Sequence, residues 1–188
     1  EKHLPDHWYN TSTANTFTYT QFPNLNAHIH GTVHHCTPQE LDRRIRNVPA
    51  YADKSQQPLI KTGLFEDNSR AGRSKLLCIS AVMLDSDSGQ PMQATASVLD
   101  AWGINYTAYT AYTSTPEHQK YRVIVYLTSM VNGAHHTALV QTLADILPSN
   151  VVASESFTEK QIMYWGRNPN SEYTVVSNHA GVYLDQHP

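Results

Sequence analysis

Asp85 and Asp87 stand two residues apart in LDSDSG, directly after the apolar run LLCISAVML. In an extended segment, side chains two apart point the same way. Two carboxylates on one face can hold a hard divalent cation, and Mg²⁺ favours one or two carboxylates together with substrate phosphates. Nucleotidyl transfer uses such metals to activate the attacking oxygen and steady the leaving one. Asp, Ser and Gly also favour polar turns. The spacing alone therefore leaves a metal site and a plain turn both open.

A second chemistry is carried by cations. Between Arg43 and Lys75 lie eight of the thirteen Lys and Arg, against three acids, so that stretch is +5 and the remainder of a −3 chain is −8. A basic patch on an acidic body suits a partner met at one place, and it equally suits a solvated surface. The candidate DNA contacts are Arg43, Arg44 and Arg46 on a short helix, then Lys54, Lys61, Arg70, Arg73 and Lys75 in or beside a long loop. Arginine grips phosphates or reads guanine edges in bidentate fashion.

His28 and His30 flank Ile29 on an expected strand, with His34 further along. Such pairs hold a metal in rolling-circle nicking nucleases, which also need a tyrosine nucleophile. Tyr51, Tyr109 and Tyr164 are available, and nothing singles one out. Exposed histidines of a strand are the favoured reading. Tyr106, Tyr109, Tyr112, Tyr121 and Tyr126 offer base-stacking faces, or simply half-buried rings of ordinary strands; the second is preferred.

These groups must be positioned by regular elements. FTYTQF at 17–22 and AHIHGTVHH at 27–35 alternate as strands, Gly31 marking a bulge or an edge. Thr37-Pro38-Gln39-Glu40 is a capping box that starts a helix running to about Asn47. Residues 48–75, rich in Pro, Gly, Ser and Asn, read as irregular. A buried strand from Lys75 ends at Asp85, and DSDSG turns the chain. A helix runs from Pro91 to Gly103 with Ala94, Val98 and Ala101 or Trp102 on its packed face. Strands follow at 104–112 and 121–127, a helix at 134–147, and strands at 161–166 and 173–177. Residues 1–15 are expected to be a loose arm.

The order over 75–166 is β-α-β-β-α-β. It predicts an α+β fold: a ferredoxin-like, RRM-like palm core of four antiparallel strands, two helices on one face and the other face open to a ligand. The N-terminal strand, helix and loop elaborate it. That fold serves many functions and decides none.

The segments LDSDSG, YTAYTSTPEHQKYRVIV and ESFTEKQIMYWG, in this order and spacing, resemble the primase–polymerase domains of phage, plasmid and mobile-element replication proteins, members of the archaeo-eukaryotic primase superfamily. KSQQPLIKTGLF resembles the segment before the catalytic core in one branch. The resemblance spans roughly residues 50–182. It implies an acidic pair at Asp85 and Asp87, a third carboxylate at Glu155, Mg²⁺ or Mn²⁺ held by these three, and a Tyr121-Arg122 whose arginine meets a triphosphate or a DNA phosphate. Where the family places a histidine this chain has Ser114, with His118 four residues on. That departure is compatible with a degenerate domain that needs no cofactor.

The resemblance therefore implies a single domain over 1–188, the N-terminal part of a longer replication protein. Its expected function is recognition of duplex origin DNA in a replication initiator, beside a replication helicase or helicase domain. The alternatives are an active primase–polymerase working on a single-stranded template, and a nicking nuclease. No apolar run approaches the roughly 20 residues of a membrane span, so no membrane partner is expected. Two cysteines, Cys36 and Cys78, make no disulfide framework and point to a reducing compartment; the resemblance to phage and plasmid proteins implies the cytoplasm of a bacterial host cell.

Overall fold

A computed structural model describes residues 17–25, 30–67 and 75–187. Arg70, Arg73, His28 and the arm at 1–15 lie outside the described residues. The fold is mixed α+β with two antiparallel sheets.

The first sheet has the order β2-β1-β3-β8, with β1 at Phe17–Phe22, β2 at Thr32–Cys36, β3 at Leu59–Lys61 and β8 at Met163–Tyr164. β2 is an edge strand, as Gly31 suggested. The helix α1 spans Pro38–Arg46 and opens on the expected capping box: Thr37 Oγ1 accepts from Glu40 N, and Glu40 Oε2 accepts from Thr37 N. The second sheet has the order β4-β5-β7-β6-β9. Its strands are β4 Gly63–Phe65, β5 Leu76–Gly89, β6 Tyr106–Thr110, β7 Gln119–Asn132 and β9 Val175–Asn178. The helices α2 (Met92–Ala101) and α3 (His136–Ile146) complete the set.

The period-2 alternation of the strands sorts the core into two sides. Val82 and Leu84 of β5, Tyr121, Val123 and Val125 of β7, and Tyr106 and Ala108 of β6 pack with Leu99 of α2 and Val140 and Leu143 of α3. Their neighbours Ala81, Met83, Ile124, Tyr126 and Tyr109 pack the opposite way, on Tyr19, Leu41, Ile45, Met163 and Trp165. The second sheet is thus covered on both faces, and the open ligand face expected of the palm is instead buried under α1 and the first sheet. Tyr106, Tyr109, Tyr121 and Tyr126 are fully buried, so they stack no bases.

Several expectations are corrected. Residues 48–75 are not one irregular segment, because β3 and β4 lie within them. β1, the partner of β3, is remote in sequence, and β4 is only three residues long, which is why local turn chemistry outweighed them. The chain changes sheets at Thr62, whose Oγ1 donates to Ala81 O at 2.8 Å. A Cβ on the next residue, Gly63, would lie 2.3 Å from Cys78 O, so only glycine permits this approach. DSDSG does not turn the chain. β5 continues through it, because β7 is long enough to pair Asp85 with Arg122, Ser86 with Tyr121 and Gly89 with Gln119. The packed face of α2 is Met92, Thr95, Ala96 and Leu99, with Val98 partly buried against the same core as expected, and Trp102 is 47% exposed.

The largest difference concerns the last strand of the palm. The element order is as expected, but β8 pairs with β3 in the first sheet. Its place beside β5 is shared between β4 and the 153–156 segment, and this second substitution builds the site.

Candidate functional site

Asp85 lies beyond the reach of β4, whose pairing with β5 starts only where Gly63 meets Ile79. On that same edge its backbone is satisfied by a short 3₁₀ turn, Ser154–Phe157, and the residue before it. Ala153 N donates to Asp85 O at 2.8 Å, and Asp85 N donates to Ser156 Oγ at 2.9 Å. The free edge of a strand must find partners somewhere. Here it finds them in the segment that carries Glu155, so Glu155 is brought within electrostatic range of Asp85.

Across the sheet, Arg122 stands opposite both Asp85 and Tyr109. Arg122 Nε lies 3.5 Å from Asp85 Oδ1, with the two side chains only 11% and 16% exposed. That is ion-pair distance but not hydrogen-bond geometry. Asp85 Oδ1 and Arg122 Nε are accordingly both buried without a hydrogen-bond partner among the described residues. The guanidinium makes one long hydrogen bond, Nη1 to Tyr164 O at 3.5 Å, and Tyr109 OH donates to the same carbonyl at 3.3 Å. Lys54 Nζ sits 5.2 Å from the centroid of the Tyr164 ring. Lys54 is exposed and is presented by a 3₁₀ turn whose cap, Asp53, accepts from Ser55 N.

Burial pushes the Asp85 carboxyl above its ordinary range. Arg122 opposes that shift, Asp87 and Glu155 reinforce it, and Lys54 again opposes it. Two carboxylates and two cations therefore act on the one Asp85 carboxyl. They do not converge equally: Asp87 and Glu155 are exposed, and among the described residues no three His, Cys, Asp or Glu side chains gather into a metal-holding group. Only Asp85 is held rigidly. The orphaned Asp85 Oδ1 suits one bond to a cation. The three-carboxylate set implied by the family resemblance is not drawn together around it.

Ser114 is 5% exposed, and its Oγ accepts from Lys120 N at 3.0 Å, closing the turn between β6 and β7. One of its lone pairs is thus committed to the fold. The imidazole in this region is that of His118, which lies against Gly89 and brings Nε2 to 2.9 Å from Asp87 O. With Nε2 protonated it donates to that carbonyl, leaving Nδ1 as an acceptor. His118 thus ties the β6–β7 turn to the end of β5.

The basic residues divide. Arg43, Lys54 and Lys75 are exposed. Arg46 is spent on Asp42 at 2.7 Å and Ser177 at 2.9 Å, and Arg44 donates to Tyr19 OH at 2.8 Å. Lys61 is 2% exposed and so cannot point at a nucleic acid, contrary to expectation. It belongs to β3, on the side of that strand shared with the buried Leu59, and burial pushes its amine down to about 7 although Glu159 opposes the shift. Of the histidines nominated as a metal pair, His30 Nδ1 contacts Asp67 O at 3.2 Å and His34 stacks on Tyr19 at 5.0 Å. Tyr109, a nominated nucleophile, is buried, and its hydroxyl is pushed up to about 12.

The sequence reading missed Tyr164 O and Ser156 as parts of the site. Both lie in ESFTEKQIMYWG, but one acts through its backbone and the other through a backbone bond, which no side-chain pattern signals.

Residues 52–187, well over half of the chain, match the family model described as the VapE N-terminal domain. No curated protein matches the chain. Among the described residues, no helix is long and apolar enough to cross a membrane.

Proposed function

The chain belongs to the VapE N-terminal domain family, and on that premise we propose that it is the DNA-binding, origin-recognising domain of a mobile-element replication initiator. The family is that of phage- and plasmid-type VapE-like proteins, associated with replication. The observation that carries the proposal is the half-satisfied pair of Asp85 and Arg122, with Lys54 beside it. Arg122 makes one long hydrogen bond through Nη1 and its Nε is closed off against Asp85, so a phosphate oxygen would be met by the remaining guanidinium N–H groups. Lys54 adds an exposed cation within electrostatic range of Asp85. Arg43 and Lys75 are further exposed cations, and a replication helicase is the expected companion.

The test is fluorescence anisotropy with the origin duplex of the protein's own element and a scrambled duplex, over a salt series. The origin should bind more tightly, and affinity should fall linearly in log–log form with salt as phosphates displace counterions. Arg122→Ala should weaken both duplexes. Equal affinity for the two sequences would sink the origin reading.

A second reading, an active primase–polymerase, is favoured by the orphaned Asp85 Oδ1. In that reading Asp85 would supply one fixed ligand to Mg²⁺ or Mn²⁺, and the exposed Asp87 and Glu155 would have to move in to join it. Arg122 would orient the triphosphate. It predicts metal-dependent nucleotide incorporation that disappears in Asp85→Ala; incorporation retained by that variant removes the reading.

A further inference from the structure

A cavity of about 450 Å³ opens between the β6–β7 turn and residues 170–174, lined in part by Thr110, Ser114, Pro116, Glu117, Gln119 and Glu172. It is separate from the Asp85 site. Thr110 continues the face of Tyr106 and Ala108, which packs toward α2, whereas Asp85, Arg122 and Tyr109 occupy the other face of the same sheet.

The cavity carries an uneven set of hydrogen-bonding groups. Thr110 and Ser114 are each 5% exposed. Thr110 Oγ1 accepts from Thr174 N and Ser114 Oγ accepts from Lys120 N, both at 3.0 Å. Each hydroxyl has therefore spent a lone pair, and its own proton has no acceptor among the described residues. Gln119 repeats the pattern: Oε1 accepts from Met92 N at 2.7 Å, and Nε2 is left to donate. Thr110 and Ser114 are buried and Gln119 is half-buried, so donors facing the cavity take their acceptors from water or from a ligand. At the rim stand two exposed carboxylates, Glu117 and Glu172, which only accept. No Lys or Arg lines the cavity, so a phosphate is disfavoured there.

Donors inside and carboxylates outside specify a ligand with acceptors on one edge and donors on another. Guanine has this arrangement: O6 and N7 accept side by side, and N1–H with the N2 amine present a pair of donors that one carboxylate meets in bidentate fashion. Thymine lacks the amine. We propose that this cavity takes the guanine of an unpaired nucleotide, the deep hydroxyls and Gln119 meeting O6 and N7, and Glu117 or Glu172 meeting the N1 and N2 protons. The base must be unpaired because its Watson–Crick edge is used. The volume lies within the range of ordinary small-molecule sites.

The experiment titrates the ¹⁵N-labelled chain with deoxyguanosine, deoxyinosine and thymidine, and then with a thymine pentamer carrying a central guanine and an all-thymine pentamer. Expected are amide shifts confined to 110–119 and 170–174. Deoxyguanosine should bind about tenfold more tightly than deoxyinosine, which lacks the N2 amine, or thymidine, as for a lost hydrogen bond to a charged group. The double variant Glu117→Ala, Glu172→Ala should lose the preference without loss of fold, both residues being exposed. If only the guanine pentamer gives the shifts, the source is single-stranded DNA; if the nucleoside suffices, it is a free nucleoside as well. Equal responses to guanine and thymine, or no shifts in these segments at saturating deoxyguanosine and pentamer, overturn the proposal. The nucleosides carry no phosphate, so this outcome is independent of duplex binding.

Discussion

Lys61 offers the clearest energetic test of the fold. Its amine is 2% exposed and is pushed from the ordinary 10.5 down to about 7, because burial disfavours the charged form more than Glu159 supports it. The unfolded chain holds the proton up to about pH 10.5 and the folded chain releases it near 7. Between those values the unfolded state binds more protons, so stability rises with pH. Below pH 7 the whole cost is present, and above 10.5 it is gone. A difference of about 3.5 units is worth roughly 4–5 kcal/mol, and near pH 7 most of that, about 4 kcal/mol, still acts. Lys61→Met keeps a straight apolar stem of similar length in the same space. It should therefore stabilise the chain by about 2–4 kcal/mol at pH 7, allowing for imperfect repacking. Each pH unit above 7 should remove about 1.4 kcal/mol of that gain. The buried His136, pushed down to about 4, completes its own titration below this window and does not distort it. Urea unfolding of both proteins at pH 7, 8, 9 and 10, read from the midpoint at constant slope, measures the difference. A gain that does not change with pH, or a loss of stability at pH 7, would refute the argument that Lys61 is buried against its charge.

Asp42 behaves in the opposite sense: burial alone would raise its carboxyl, but hydrogen bonds from His179, Ser177 and Arg46 together carry it down to about 2. The resulting stabilisation, roughly 2 kcal/mol, should be complete above about pH 4 and lost as pH falls toward 2, and Asp42→Asn should abolish that acid-limb transition in a urea titration. Cys36 and Cys78 are buried thiols pushed up to about 11; iodoacetamide should leave both unmodified in the folded chain at pH 8 and modify both in urea, and rapid labelling of the native chain would contradict their burial. In the anisotropy assay, Arg43→Ala should reduce the salt slope by about one with no change in melting temperature. Arg46→Ala should instead lower the melting temperature, because its guanidinium joins α1 to β9 through Asp42 and Ser177.

Local chemistry made a good part of this fold legible. The capping box set the start of α1. The alternation of FTYTQF set β1, and Pro91 and Pro148 bounded α2 and α3 because proline ends or opens helices for reasons internal to the chain. The facing of Asp85 and Asp87 followed from strand geometry, and the family that residues 52–187 match is a replication-associated one, in keeping with the sense of the motif order. The site beyond the acidic pair was less legible. Lys54 and Glu155 were nominated singly, but nothing in their spacing placed them about one carboxylate. Lys61 reads as one more cation in a basic stretch, and only the pairing of β3 between β1 and β8 withdraws it from solvent.

What the sequence by itself determined is therefore what depends on neighbours along the chain: helix starts and stops, strand periodicity, and the common facing of two carboxylates. Tertiary structure alone decided which edge each strand found. β3 and β8 were claimed by the first sheet, and the edge of β5 at Asp85 was left to Ala153 and Ser156. The physical reason is that every strand edge must satisfy its backbone groups, and several remote segments can do so equally well by pattern. The competition is settled only when both faces of the sheet are packed, and that burial is what leaves Asp85 and Arg122 facing one another.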